Sequence, residues 1–450
     1  MSLLPQPFSG PTANSMGEKK KKILKILAIV VGFVIVLSIL MAVLSSSKPK
    51  QVELTFWGFW EEEEVMHPLI EKYEAENPGV KITYAIQPLR NYESLLYTRL
   101  EQAEISNEPA PDIAMIHNSW VPKFRKYLSP LPSSVMSADE YSKEFYPTAI
   151  EDFTGIDGKI YAIPLQIDGL MIIYNKELLR EAGYNVPPTD WDSFMEAADN
   201  LTKRDANGKI IQSGLAIGTS RNITHSTDIL FYFYLQNLAQ ILSEDKTMMN
   251  LTSPRALAAF DKYTSFVKEK NPTWASYLPN DLTYFVDGKV AMMFGTSWRA
   301  LEILEYTEDI EFGLAPLPRL TNNDEVYYAT YWGTTVSKTS KDTLEAWKFV
   351  KFLSEPEQLR RLYQNAAKTR AFGEPYSRVS MNAELAENKY TQALAYMAPY
   401  MKSFQVGEQA FVEEKLKQAI TAVAENGRSS NSTLQAIQNE INIKLAVSNK

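Results

Sequence analysis

The chain is 450 residues long, carries a net charge of −8 and contains 45% hydrophobic and 22% charged residues. A chain of this length is too long to fold around a single ordinary core and favours two or three domains. Its net negative charge argues against a nucleic-acid partner. The chain has no cysteine, which excludes disulfides, thiolate metal sites and thiol catalysis. Because His67, His117 and His225 are widely spaced, we expect no metal ion and no cofactor.

The N-terminal part contains an apolar segment that predicts a membrane anchor. Residues 26–44 carry no charge and, as a helix, are long enough to cross a bilayer. Lysines precede this segment, so residues 1–25 are predicted to be a cytoplasmic tail, and everything after a linker at 45–50 lies outside the cell membrane. A cleaved signal peptide stays open as the alternative, because Ser45–Ser47 offers small residues to a peptidase.

The next segment alternates between strand and helix patterns, which predicts a parallel sheet with right-handed crossovers. Ligands of such sheets bind at the carboxyl ends of the strands. Two aromatic stretches fall at such ends: "TFWGFW" (residues 55–60) and "HNSW" (residues 117–120). We expect Gly58 to let the chain turn there, and Trp57 fits either the cleft or the lobe interior. The predicted elements are strands at 52–56, 80–86 and 112–116 and helices at 65–73 and 92–103.

Further elements follow with local start and turn signals. Thr189 with Asp192 resembles a capping box, and the helix it opens places Trp191 on the core face. Asn207-Gly208 predicts a turn, and Ser253-Pro254 predicts a helix start. A helix at 343–353 is expected to bury Trp347, and the chain from about residue 382 is predicted to be almost wholly helical.

Catalytic motifs are scarce. The chain lacks GxxxxGK[ST], GxGxxG and GxSxG patterns. The remaining enzyme hypothesis is an extracellular glycoside hydrolase that pairs Glu61 or Glu62 with Asp168. The four consecutive glutamates at residues 61–64 also have a structural interpretation, since acidic residues at a helix start interact favourably with the helix dipole.

Several segments, in this order, resemble the extracellular solute-binding proteins of ABC transporters, in the sugar-binding family that includes maltose-binding protein. The resemblance covers nearly all of residues 51–450. It rests on "LTFWGFWEEEEVMHPLIEKYEAENPGVKITY", "PDIAMIHNSWVPKF", "GKIYAIPLQIDGLMIIYNKELLREAGYNVPPTDWDSFMEAADNLTK", "FVDGKVAMMFGTSW", "FGLAPLP" and "WGTTVSKTSKDTLEAWKFVKFLSEPEQ". The chain departs from bacterial relatives in lacking a lipid-modified cysteine, which leaves the predicted helix as the tether.

The resemblance implies an α/β, two-lobed periplasmic-binding-protein-like fold of type II with a ligand cleft between the lobes. Lobe 1 would comprise residues 51–167 and 312–365, and lobe 2 residues 168–311 and 366–450. The implied protein is not an enzyme but a monomer that captures a carbohydrate by lobe closure and delivers it to permease subunits of an importer. A sugar-sensing co-receptor with the same fold stays open as an alternative.

The resemblance also implies which side chains face the cleft, by the match of this sequence to the family's motifs. Asp168 has a second interpretation as a hinge residue, because the chain changes lobe there. Arg370 would be the anion partner if the solute were a glycerol phosphate ester rather than a sugar or polyol. The implied ligand-binding residues are Trp60, Glu61, Asn118, Trp120, Asp168, Trp298, Trp332 and Arg370.

Overall fold

The computed structural model describes residues 14–46, 51–106, 108–320 and 325–448. Its strands, in chain order, are β1 (Val52–Gly58), β2 (Val80–Ile86), β3 (Ile113–His117), β4 (Leu128–Ser129), β5 (Ile163–Pro164), β6 (Met171–Asn175), β7 (Lys203–Arg204), β8 (Ile210–Leu215), β9 (Val290–Gly295), β10 (Phe312–Ala315), β11 (Tyr327–Tyr328), β12 (Trp332–Ser337) and β13 (Met401–Lys402).

The helices connect and cover these strands. In chain order they are α1 (Asn14–Ser46), α2 (Glu63–Glu76), α3 (Tyr92–Ser106), α4 (Val121–Phe124), α5 (Ala138–Glu144), α6 (Pro147–Phe153), α7 (Lys176–Glu181), α8 (Trp191–Leu201), α9 (Ser226–Gln236), α10 (Pro254–Ser265), α11 (Asp281–Val286), α12 (Ser297–Tyr306), α13 (Thr343–Ser354), α14 (Pro356–Ala366), α15 (Asn382–Ala386), α16 (Gln392–Met397), α17 (Gln409–Ala424) and α18 (Ser430–Ser448). Single turns of 3₁₀-helix lie at Leu89–Asn91, Arg125–Tyr127, Val379–Met381 and Ala398–Tyr400.

Helix α1 contains the predicted anchor. Its side chains are described at Gly17 and at 20–38, and the apolar ones among 23–37 are exposed. Within the part of the chain that the structure describes, no helix is long and apolar enough to cross a membrane. The last part of the predicted span, residues 39–44, lies outside the described side chains, as do residues 1–13 of the predicted tail and 47–50 of the linker.

The first sheet has the strand order β2-β1-β3-β12-β4, with β5 also paired to β12. β1 runs parallel to β3, as the alternating pattern predicted, whereas β12 runs antiparallel to β3. β3 is buried along its whole length. Helix α13 packs on this sheet and buries Trp347 completely, which confirms that prediction.

The second sheet has the strand order β10-β6-β9-β8-β7. β6 and β9 are fully buried, and α8 covers β8 with Trp191 5% exposed, as predicted. Ser253 caps α10 as expected, and Asn207-Gly208 forms the turn between β7 and β8, where Gly208 has a positive φ of 80°. The predicted cap of α8 is wrong, because Asp190 rather than Thr189 accepts the N–H of Ser193.

The chain crosses between the two sheets in several places. It leaves the first sheet after β5 and returns at β12, and β11 pairs with β13 in a separate two-stranded sheet. β10 was predicted to belong to lobe 1, but it forms an antiparallel ladder with β6 in the second sheet. Residues 366–450 were predicted to belong to lobe 2, and within them Arg370 bonds to Glu61 in the loop after β1. The remaining lobe boundaries stay predictions.

Candidate functional site

Three tryptophans from both sheets meet where the strands end. Trp60 follows β1, Trp298 lies in the first turn of α12 immediately after β9, and Trp332 opens β12. The rings of Trp60 and Trp298 are stacked, with centroids 4.3 Å apart and an interplanar angle of 23°. This contact joins the loop after the first sheet to the helix after the second sheet, so the two halves of the chain meet at these indoles.

Arg370 lies on Trp298 and is held by two acidic residues. Its guanidinium carbon is 4.7 Å from the Trp298 ring centroid, and its Nη2 donates to Glu61 Oε1 at 2.8 Å and to Glu374 Oε1 at 3.1 Å. Burial raises the pKa of Glu61, although the charge of Arg370 lowers it, and burial together with the charge of Glu61 raises the pKa of Glu374. Arg370 therefore neutralises buried carboxylates, which does not favour its predicted role as an anion partner.

Asp168 is buried and stabilises the start of α12. Its carboxylate accepts the Ser297 N–H at 3.2 Å, the Ser297 hydroxyl at 2.7 Å and the Gly169 N–H at 2.8 Å. Burial raises the pKa of Asp168 to about 6, against these bonds, which lower it. Since Ser297 directly precedes Trp298, Asp168 positions this indole, and its backbone carbonyl also accepts the Thr330 N–H at the crossing.

A second aromatic cluster lies on the first sheet beside these residues. The ring of Trp120 stacks on Phe124 at 5.3 Å and meets Trp332 edge-on at 5.0 Å. The ring centroid of His117 lies 5.2 Å from that of Trp332. Its Nδ1 is hydrogen-bonded to the Ser119 hydroxyl and its Nε2 to the Thr330 hydroxyl. Burial lowers the pKa of His117 to about 4, so this imidazole is neutral at physiological pH.

Asn118 belongs to a buried polar network rather than to the cluster of indoles. Its amide nitrogen donates to Asp152 at 2.9 Å, and its amide oxygen accepts the Tyr331 N–H at 3.3 Å. Asp152 also accepts bonds from the side chains of Thr148 and Tyr331. The amide of Asn118 is therefore engaged by protein groups, and its contribution to the site is to hold the loop after β3.

Two adjoining cavities open between the sheets. The small cavity, of about 230 Å³, is lined by Trp60, Asp168, Trp298 and Trp332 among others. The large cavity, of about 740 Å³, is lined by Trp120, Trp332 and His117 and by residues of α9 and α17. Both cavities share His225, Thr330 and Trp332. Of the predicted residues, Trp60, Trp120, Asp168, Trp298 and Trp332 line these cavities, whereas Glu61, Asn118 and Arg370 line neither.

Sequence reasoning missed His225, Asp228 and Glu413, which line the large cavity together with Trp120 and Trp332. His225 Nδ1 lies 2.8 Å from Asp228 Oδ2 at the start of α9, and Glu413 on α17 accepts a bond from Gln409 at 2.7 Å. Burial raises the pKa of Glu413 to about 7. The spacing of His225 and Asp228 places both on one helix face, but no local pattern relates them to Glu413 or to Trp120, which lie far away in sequence.

These groups match the surface of a polyhydroxylated solute. Indole faces pack against C–H surfaces, while carboxylates and indole N–H groups pair with hydroxyl groups. No cluster of acidic and histidine side chains suited to a metal ion occurs among the described residues.

The chain is similar to known binding proteins in sequence and in structure. It is 27% identical over 297 residues to a putative binding protein of Brucella abortus, covering 65% of this chain and 69% of that one. It is 24% identical over 313 residues to a maltotriose-binding protein of Pyrococcus abyssi, covering 66% and 61%. The structure of the sugar-binding protein MalE from Xanthomonas citri superposes with a TM-score of 0.72 at 21% identity, covering 88% and 98%.

The structural likeness confirms the predicted α/β, two-lobed periplasmic-binding-protein-like fold. The family model described as "Bacterial extracellular solute-binding protein" matches residues 60–359, which is well over half of the chain. The match includes the Trp60 loop, the β3 loop and the start of α12, which build the site. The chain belongs to the bacterial extracellular solute-binding protein family.

Proposed function

We propose that this protein is a membrane-anchored, extracytoplasmic carbohydrate-binding protein that delivers its solute to the permease of an ABC importer. The observation that carries the proposal is the group of three indoles, Trp60, Trp298 and Trp332, around one cavity between the two lobes. Its relatives include proteins named for binding maltotriose and other sugars, and an aromatic-lined cleft with a few polar groups suits such ligands.

The family consists of binding proteins, so the chain is not an enzyme. The hydrolase hypothesis required a free carboxyl pair drawn from Glu61 or Glu62 with Asp168. Glu61 is bonded to Arg370 and Asp168 to Ser297, whereas Glu62 is exposed. The carboxyl groups of Glu61 and Asp168 are therefore engaged by other side chains of the site.

We propose that the solute is trapped by lobe closure. Trp60 and Trp120 belong to loops of the first sheet and Trp298 to the second, so a solute that contacts both sets binds the closed state more tightly. Only this difference in affinity can drive closure. A permease that recognises the closed form would then distinguish loaded from empty protein. Transport to a permease is proposed ahead of a sensing co-receptor role, and the protein is proposed to act as a monomer.

Of the predicted residues, Trp60, Trp120, Asp168, Trp298 and Trp332 are proposed to line the solute site. Glu61, Asn118 and Arg370 are proposed to support the residues that line the site without touching the solute. Each is bonded to protein groups and lines neither cavity.

The binding proposal is tested with the full chain in detergent. Native mass spectrometry of freshly purified protein should reveal a co-purifying carbohydrate, and a panel of sugars should raise the melting temperature, because a ligand that binds only the folded state stabilises it. The absence of both a bound carbohydrate and any stabilising sugar would contradict the proposal.

The anchor proposal rests on the uncharged segment 26–44, the lysines before it and the exposed apolar side chains of α1. Because the chain has no cysteine, topology can be tested with single-cysteine variants. A membrane-impermeant maleimide should label Asp139→Cys and leave Ser9→Cys unlabelled in intact cells. Labelling of both, or release of the protein from membranes by alkaline carbonate, would contradict a single-pass anchor with a cytoplasmic N-terminus.

A further inference from the structure

The indole of Trp60 covers one face of Trp298, which is a proposed platform for the solute. The two rings are stacked, with their centroids 4.3 Å apart and their planes 23° from parallel. A sugar ring that packs its C–H surface on an indole needs the same space above the ring. The stack and a solute on that face of Trp298 therefore exclude each other.

Trp298 is the fixed member of the stack. Ser297, which directly precedes it, donates to the Asp168 carboxylate through its N–H at 3.2 Å and through its hydroxyl at 2.7 Å. The guanidinium carbon of Arg370 also lies 4.7 Å from the centroid of the Trp298 ring. These contacts hold the platform in place when its neighbour moves.

No hydrogen bond fixes the side chain of Trp60 within the part of the chain that the structure describes. Its indole N–H is buried and has no partner there, and a buried donor without a partner is unfavourable. Leaving the stack therefore breaks no hydrogen bond and allows this N–H to pair with water or with a solute oxygen. Trp60 is the member of the stack that can move.

The residues on both sides of Trp60 limit this movement to its side chain. Phe59 is buried, and its ring centroid lies 4.4 Å from that of Trp332. Glu61 is bonded to Arg370 at 2.8 Å. The loop is therefore anchored before and after Trp60, and a solute in the small cavity, which both indoles of the stack line, can reach them.

We propose that the stack of Trp60 on Trp298 is an autoinhibitory contact of the solute site. Trp60 must leave Trp298 before a solute can pack on that face, so only molecules with an open stack are competent to bind. An aromatic pair of this kind favours the stacked arrangement by about two- to tenfold, and association is slowed by that factor. This inference rests on the proposed carbohydrate-binding function and adds a control over how fast the site loads.

Circular dichroism of the full chain in detergent tests whether the stack opens. Two stacked indoles give a pair of bands of opposite sign, which the difference between the spectra of the unmodified chain and Trp60→Ala isolates. The probes are neutral oligosaccharides of glucose, mannose, xylose and N-acetylglucosamine, one to four units long. The pair of bands should be present without sugar and should disappear when a sugar saturates both proteins. Its absence without sugar, or its persistence at saturation, would overturn the inference.

Stopped-flow fluorescence tests the effect on loading. The association rate constant should rise about two- to tenfold in Trp60→Ala, and also in Trp60→Leu, which keeps an apolar side chain that cannot stack. Association is the decisive quantity, because a lost contact between Trp60 and the bound solute would change the dissociation rate instead. Trp57→Ala, a half-buried tryptophan on β1, is the control and should leave association unchanged. Equal or slower association in Trp60→Ala and Trp60→Leu would overturn the inference.

Failure of the proposed function has a separate signature. If no sugar binds either the unmodified chain or Trp60→Ala, the carbohydrate-binding function itself is contradicted. Sugar binding by Trp60→Ala alone would support the autoinhibitory contact.

Discussion

The indole rings of Trp60 and Trp298 stack on each other with their centroids 4.3 Å apart. A sugar ring cannot lie between two indoles at that distance, so a bound ring must use another face or separate the pair. Trp298 is also covered by the guanidinium of Arg370. Its indole is therefore a contact between the lobes as well as a proposed platform for the solute.

Replacement of Trp298 by alanine is expected to lower sugar affinity at least tenfold, because it removes a platform and an interlobe contact. Trp298 is only half-buried, so the melting temperature of the empty protein should fall by less than about 4 °C, which corresponds to about 1 kcal/mol for a domain of this size. Calorimetry measures the sugar affinity, and thermal unfolding measures the melting temperature of the empty protein. Tyr306→Ala, at the exposed end of the same helix, is the control and should change neither. A collapse of empty-state stability would assign Trp298 to the core.

Replacement of Arg370 by methionine is expected to destabilise the fold by about 3–5 kcal/mol, because it leaves the buried carboxyl groups of Glu61 and Glu374 without their cation. Urea denaturation measures the loss. The double variant Arg370→Met with Glu374→Gln should recover part of it, since Glu61 then faces a neutral amide instead of a second buried carboxyl group. Arg361→Met, which breaks an exposed pair with Glu357, should cost less than about 1 kcal/mol. Similar losses in Arg370→Met and Arg361→Met would contradict this account.

The carboxyl group of Asp152 is expected to make stability depend on pH. Burial raises its pKa to about 6, well above the ordinary value, so the folded state holds this proton more tightly than the unfolded state. The resulting stabilisation is complete below about pH 4 and is lost as the pH rises through 6, by about 2–3 kcal/mol. Asp152→Asn cannot lose a proton. The unfolding free energy of the unmodified chain minus that of Asp152→Asn should therefore fall by about 2–3 kcal/mol from pH 4 to pH 7 in urea denaturation. Parallel pH profiles of the two proteins would disprove this assignment.

Replacement of Gly58 by alanine is expected to disturb the Trp60 loop. A β-carbon at Gly58 would lie 2.2 Å from the hydroxyl oxygen of Tyr84, which donates to the Glu61 carbonyl at 2.8 Å. Displacing the Tyr84 ring would release that carbonyl and shift the adjacent indole, so we expect weaker sugar binding and a stability loss of about 1 kcal/mol. Tyr84→Phe removes the same hydrogen bond without the clash. Normal binding by both variants would show that the bond does not position Trp60.

The role of Gly58 also illustrates a limit of the sequence prediction. Gly58 is the last residue of β1, where the predicted turn begins, but it has no positive φ. Its lack of a β-carbon instead leaves room for the hydroxyl of Tyr84. Similarly, Arg370 is predicted to face the cleft as an anion partner, because the chain's local pattern does not reveal that Glu61 and Glu374 pair with it. Trp57 stays half-buried on β1, paired in register with Ala114.

Local patterns in the sequence determined the strand and helix types, the buried faces of α8 and α13, the strand ends that carry the tryptophans, and the family. These properties depend on periodicity and on residues close together in the chain, which the sequence displays directly. Only the tertiary structure decided that β10 joins the second sheet, that Trp298 contacts both Trp60 and Arg370, and that Asp228, Glu413 and Trp120 line one cavity. Such contacts arise from packing between residues distant in sequence, and no local pattern encodes which buried groups become neighbours.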